Sequence, residues 1–237
     1  MLRIFKDLET LSRAAANYFV MSANKAISEQ GRFLVALNGG ATPKYLLELL
    51  ASTPDKIDWM RAHVFWGDER LIPVDDPESN YGMAKRILLS RVAIPADNIH
   101  RINTDLTPAE TVADYSLTLK RFASPPLTWP RFDLVLLGMG DDGHTASLFP
   151  NSPVNEVEPV IAVIADYQGR PANRITLTPL VFNSAREVLF LVSGASKAEA
   201  LKHVLKGDSE VQFPAARIHP TNGTINWFVD EAAASKL

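Results

Sequence analysis

No cysteine occurs among the 237 residues. That removes disulfides, thiolate nucleophiles and the zinc and iron–sulfur sites that thiolates build, and it suits a reducing compartment. No apolar run approaches the roughly 18 residues that a membrane-spanning helix needs. Met1 to Leu11 carries charges throughout, with no apolar signal core. The expectation is a soluble, cytoplasmic protein without a membrane partner. Charge of one sign is also lacking. The 24 basic and 27 acidic residues are interleaved and give a net charge of −3, so nothing points to nucleic acid as a partner. Several catalytic signatures are missing too. There is no G-x-S-x-G elbow and no Walker A loop. His63, His100, His203 and His219 show no H-x-x-x-H or H-E-x-x-H spacing, so no tightly bound metal is indicated.

What is present begins with 46% hydrophobic residues, enough for a substantial core and for a single domain over residues 1–237. Apolar runs of strand length occur at Phe33–Leu37, His63–Trp66, Leu134–Leu137, Val160–Ile164, Ile175–Leu177, Val188–Val192 and Ile225–Val229. Helical patterns alternate with them. One runs from Asp7 to Gly31, and another starts with Thr42 as N-cap and Pro43 at the first helical position. Ser79 to Leu89 is a third. Capping boxes are read at Thr107–Glu110 and Ser196–Glu199, the first opening a helix whose buried face is Val112, Tyr115, Leu119 and Phe122. This alternation predicts an α/β fold, with a Rossmann-like, mostly parallel sheet covered by helices on both faces. Ligands in such sheets bind at the carboxyl ends of the strands, and the polar motifs fall at those ends.

Residues 132–150 are the richest of these. The run Leu134–Leu137 stops at Gly138, Gly140 and Gly143, with Asp141, Asp142 and His144 packed into the same turn. The glycines match G-x-G-x-x-G, but two carboxylates would stand where a pyrophosphate needs amide donors. The helix expected after His144 is also short, closed by Pro150 and Pro153, and the motif lies late in the chain. A dinucleotide site is therefore set aside. His144 is either a capping or core histidine or a general base. Asp142 would favour its imidazolium, and helix amides its neutral form.

Three further groups follow. Gly39-Gly40-Ala41-Thr42-Pro43 turns a strand into a helix and offers free amides to an anion, or is simply a tight turn. Lys197, near the first position of a helix capped by Ser196, faces the wrong end of the helix dipole unless an anion lies between; Arg174 is a second phosphate candidate. Asp68 and Arg70 end the second strand, either as a surface ion pair or as part of the site.

Taken in order, Asn38–Pro43, Trp66–Arg70 with Ser79-Asn80-Tyr81, Gly138–Pro150, Arg174–Thr178 and Ser193–Lys197 resemble the 6-phosphogluconolactonase family over nearly the whole chain. That family belongs to the oxidative pentose phosphate pathway and shares its sugar-phosphate isomerase/deaminase-like fold with glucosamine-6-phosphate deaminases. Where the deaminases carry a segment like Phe-Asn-Glu-Pro after the His, this chain has Ser147-Leu148-Phe149-Pro150, which favours the lactonase. Asn38 and Ala41 stand where Ser is commoner in the family. The resemblance implies hydrolysis of 6-phosphogluconolactone to 6-phosphogluconate by a monomer, with a small-molecule sugar-phosphate lactone as the only partner and no metal or cofactor. It implies that Gly39, Gly40, Thr42, Arg174 and Lys197 hold the phosphate. His144 would be the base, Arg70 would stabilise the oxyanion, and Asp142 or Asp68 would orient the imidazole or the water. The alternatives are a deaminase or isomerase acting on another sugar phosphate, and a sugar-phosphate-binding regulator without turnover.

Overall fold

The structure is a computed structural model that describes residues 1–152, 157–208 and 212–237. Strand β1, Leu2–Phe5, precedes helix α1, Leu8–Gln30. Asp7 starts α1 by accepting from the Thr10 amide while Thr10 Oγ1 accepts from the Asp7 amide, a reciprocal cap that satisfies amides a helix start leaves open. Leu11, Ala15, Phe19, Ala23 and Ala26 recur at helical spacing and are buried. That stripe presses α1 onto β2, Phe33–Leu37, and β10, Thr224–Asp230. The other elements are α2 (Ala41–Ser52), β3 (Ala62–Trp66), β4 (Asp68–Arg70), α3 (Asn80–Ile87), β5 (Ile99–His100) and α4 (Pro108–Lys120). They continue with β6 (Leu134–Gly138), β7 (Val160–Ile164), β8 (Asn173–Leu177), α5 (Pro179–Phe182), β9 (Glu187–Val192) and α6 (Ala198–Lys206).

Seven strands form a parallel sheet in the order β1-β10-β9-β6-β2-β3-β5. All five residues of β2 are buried, as are the first four of β6 and the last five of β9. Strands buried on both faces are what helices packed on both sides of a parallel sheet produce. One hydrophobic cluster includes strands of this sheet and of the smaller one beside it.

The smaller sheet is antiparallel, in the order β4-β8-β7. It corrects the reading of Asp68 and Arg70 as the end of the second strand. The chain leaves the large sheet at Trp66, whose amide and carbonyl both bond to the Tyr115 hydroxyl at 2.9 Å. Gly67 then bonds to Leu37 through its N–H and to Leu177 through its carbonyl, each at 2.8 Å. A backbone diverted in this way enters a new ladder, with Asp68 opposite Thr176 and Arg70 opposite Arg174.

Three further expectations at element ends are corrected. The N-cap of α2 is Gly40, at φ 107°, and not Thr42; Ala41 is already helical. The Ser196 capping box does not form, because Ala195–Lys197 is a 3-10 turn and Lys197 itself precedes α6 without a side-chain cap. No helix follows His144. Thr145 and Leu148 instead exchange backbone hydrogen bonds, and Ala146 takes φ 49°. Helix amides therefore do not act on the imidazole. Pro153 lies outside the described residues. Strands β1 and β5 have no counterpart in the sequence reading. The Thr107 box does form, with Tyr115 and Leu119 buried and Val112 and Phe122 packed against the core.

Candidate active site

Loops from the carboxyl ends of β2, β6 and β9 and side chains of the small sheet enclose a cleft of about 250 Å³. Gly39, Thr42, Asp68, Arg70, His144, Arg174 and Lys197 all line it; Gly40 and Asp142 do not.

The turn after β6 holds the imidazole. Gly140 N–H donates to the His144 carbonyl at 2.8 Å and Gly143 N–H to the Gly140 carbonyl at 3.2 Å. His144 Nδ1 lies 2.7 Å from Asp142 Oδ1, which also accepts from the His144 amide at 3.0 Å. Burial raises the Asp142 pKa, but the hydrogen bonds and charge of His144 outweigh it and leave the carboxyl below its ordinary range. An ionised carboxylate only accepts, so the Nδ1 that faces it is a donor. Phe149 stacks on the ring at 4.6 Å and Tyr167 meets it edge-on at 4.7 Å. Only glycine fits at 140, since a Cβ there would stand 2.1 Å from His144 Nδ1 and 2.5 Å from Asp142 Oδ1. Of the three carboxylates near in sequence or space, Asp142 is the one that touches the imidazole.

Asp68 is occupied elsewhere. It is 4% exposed and accepts from Asn80 Nδ2 at 3.1 Å and from Ser147 Oγ at 2.7 Å. Asn80 in turn covers Gly39, where a Cβ would come 1.8 Å from Asn80 Oδ1. Glu69 fixes this arrangement. Its carboxylate accepts from the Arg70, Asn80 and Tyr81 amides at 2.7–2.8 Å and from the Ser79 hydroxyl at 3.2 Å. It thus satisfies open amides at the start of α3 and fastens that helix to β4. Burial pushes the Glu69 pKa up, against those amide bonds.

Arg70 and Arg174 face one another across the β4–β8 ladder, 8% and 3% exposed. Arg70 Nη1 bonds to the Glu78 carbonyl and lies 3.3 Å from Glu78 Oε2. Its ion-pair partner is Glu78 and not Asp68. Arg70 Nε, Arg174 Nε and Arg174 Nη2 are buried with no hydrogen-bond partner among the described residues. Burial and then the neighbouring Arg70 lower the Arg174 pKa, yet a guanidinium stays charged. Unmet donors on two facing cations cost several kcal/mol in sum (about 1–3 for each buried unpaired polar group) until an anion arrives. On the other flank, Asp230 accepts from the Ser193 hydroxyl and the Gly194 amide, holding the turn that carries Lys197. Among the described residues no three His, Asp or Glu side chains converge on a point that would hold a metal ion. No helix of the described residues is long and apolar enough to cross a membrane.

Asn80, Tyr167, Gln168 and Arg170 also line the cleft. The sequence reading includes Asn80 in the Ser79-Asn80-Tyr81 motif without giving it a role, and does not single out the other three. Residues 167–170 carry no local signal; only the pairing of β7 with β8 brings them over the cleft.

A profile of the family described as glucosamine-6-phosphate isomerases/6-phosphogluconolactonase matches residues 6–227. A protein of Nostoc sp. named 6-phosphogluconolactonase is 41% identical over 239 residues, covering 100% of this chain and 98% of its own. The crystal structure of 6-phosphogluconolactonase from Thermotoga maritima aligns with a TM-score of 0.86 and 30% identity, over 97% of this chain and 99% of that one. A monomeric glucosamine-6-phosphate deaminase has the same fold, with a TM-score of 0.85 and 20% identity over 100% of this chain and 99% of that one.

Proposed function

The chain belongs to the glucosamine-6-phosphate isomerase/6-phosphogluconolactonase family, and within it we infer a 6-phosphogluconolactonase that opens 6-phosphoglucono-1,5-lactone to 6-phosphogluconate. The observation that carries the mechanism is the Asp142–His144 pair in a cleft lined by Arg70, Arg174 and Lys197. His144 Nε2 takes a proton from water as the water oxygen bonds to C1. Asp142 steadies the imidazolium that forms, and the pair supplies a rate factor of roughly 10²–10⁴ typical of general base catalysis. Charge then builds on the former carbonyl oxygen, where the buried Arg70 guanidinium balances it. When the C1–ring oxygen bond breaks, His144 returns the proton to the ring oxygen, leaving a hydroxyl and a carboxylic acid that ionises. Orienting the water is assigned to Asp68, which Asn80 and Ser147 hold at the cleft.

The 6-phosphate is assigned to Gly39, Gly40 and Thr42, with Arg174 and Lys197 neutralising it. The unpartnered N–H groups of Arg174 support this, as does the unmet amide row expected where α2 starts without a side-chain cap. We take residues 1–237 to act as one domain and as a monomer in the cytoplasm, which light scattering and cell fractionation would check.

The deciding experiment generates the lactone in situ from glucose 6-phosphate and follows its hydrolysis over the spontaneous rate. Acceleration by the wild type, lost in a folded His144→Ala variant, is the expected result. Turnover of glucosamine 6-phosphate without lactone hydrolysis would overturn the reading.

A further inference from the structure

The turn between β7 and β8 enters neither role above, yet Tyr167, Gln168 and Arg170 line the cleft. The turn is closed by Ala165 N–H to the Ala172 carbonyl at 2.9 Å and by Arg170 N–H to the Tyr167 carbonyl at 3.0 Å. It reaches across the cleft and is held at both ends. At the imidazole end the Tyr167 hydroxyl donates to Asp141 Oδ1 at 2.6 Å, while Gln168 Nε2 lies 3.4 Å from Asp141 Oδ2. Burial and then Asp141 push the Tyr167 phenol above its ordinary pKa, so it remains a donor. At the other end Arg170 Nη1 lies 3.9 Å from Glu78 Oε2, the same oxygen that Arg70 Nη1 approaches at 3.3 Å.

Charge does not balance there. Arg70 and Arg170 share one carboxylate, and Arg174 makes no hydrogen bond or ion pair among the described residues; its guanidinium lies 5.4 Å from the Phe149 ring centroid. The nearby Asp68 already has both carboxylate oxygens engaged, by Asn80 and Ser147. Three guanidiniums against the two carboxylates of Glu78 and Asp68 leave a positive excess; with Arg70 given to the oxyanion, Arg170 and Arg174 remain for an anionic ligand group such as a phosphate monoester. We propose that Arg170 is a further ligand of the substrate's phosphate and that the Tyr167–Asp141 hydrogen bond positions it. Tyr167 and Asp141 are positioning residues; they act through the turn and not on the reacting atoms. This inference rests on the lactonase reading.

The test is calorimetric binding of 6-phosphogluconate to wild type, Arg170→Gln, Tyr167→Phe and the double variant. Tyr167→Phe removes the hydroxyl and keeps the ring against His144. Arg170→Gln should weaken binding about tenfold, the scale of one charge-assisted hydrogen bond. Tyr167→Phe should weaken it about threefold, and should add almost nothing once Arg170 is gone, since positions acting through one group are not additive. Asp141→Asn, which keeps an acceptor for the hydroxyl, should lie nearer wild type than Asp141→Ala. Wild-type affinity in Arg170→Gln, or additive losses in the double variant, would overturn the inference and leave the lactonase reading intact. A wild type that neither binds 6-phosphogluconate nor hydrolyses the lactone sinks both.

Discussion

Two imidazole pairs in this molecule invite comparison. His144 meets Asp142 at 2.7 Å beyond the carboxyl end of β6, while His63, the second residue of β3, meets His100 of β5 at 3.2 Å towards the other end of the sheet. Both sit among aromatic rings: Phe149 and Tyr167 for the first, Phe65 and Phe122 for the second. The partner makes the difference. A carboxylate accepts from Nδ1 of His144, and the ring lines the cleft where the proposed mechanism uses its other nitrogen as the base. Between two imidazoles no counter-charge exists. Burial and then Arg32 lower the pKa of His63, and burial and then His63 lower that of His100 to about 4. The same side chain thus has a carboxylate partner in one place and is held toward its neutral form by burial in the other.

The comparison breaks most sharply at His144. Its replacement by Ala should lower kcat by roughly 10²–10⁴ with a modest change in KM, whereas a variant of His63 should leave kcat near wild type. Steady-state kinetics on proteins with matched circular dichroism would check both. Next in size is Gly140→Ala, whose Cβ would collide with His144 Nδ1 at 2.1 Å. Displacing the base by about an ångström is expected to cost on the order of 10² in kcat, while the melting temperature changes little. Lys197→Ala, by contrast, should raise KM about tenfold with kcat nearly preserved, because a phosphate anchor serves ground and transition states alike. Equal losses in kcat and kcat/KM would contradict that role.

The smallest effect concerns stability. His63 and His100 have folded pKa values below those of the unfolded chain, so the unfolded state binds protons first as pH falls. Their contribution is complete above about pH 6.5, the unfolded value, and is lost progressively toward pH 4, where His100 titrates in the fold. Urea midpoints measured from pH 7.5 to 4.5 should therefore decline, and the slope should flatten in His100→Gln. An unchanged slope would mean that the pair does not couple folding to protons.

How much of this was legible depends on the range of the forces involved. The capping box Thr107–Glu110 and the run Phe33–Leu37 appear in the structure as read, since both rest on neighbours within a few residues. The Ser196 box has the same residue types and fails, because the turn at Ser193 and Gly194 is held by Asp230 from β10, more than thirty positions away. Asp68 and Arg70 are read as candidates at the end of the second strand; both line the cleft, but from β4 of the small sheet. Their ladder partners, Thr176 and Arg174, lie over a hundred residues along the chain. His144 was legible as a candidate base, whereas its partner among Asp68, Asp141 and Asp142 was not.

By itself the sequence determined the alternation of strands and helices, the family and the chemistry-bearing turn, because hydrophobic period, caps and glycine spacing are encoded locally. Tertiary structure alone decided that Arg70 faces Arg174, that Asp142 holds the imidazole while Asp68 is held by Asn80 and Ser147, and that residues 167–170 span the cleft. Each of those facts is a pairing across distant segments. Only the closed sheets bring such side chains within hydrogen-bond reach.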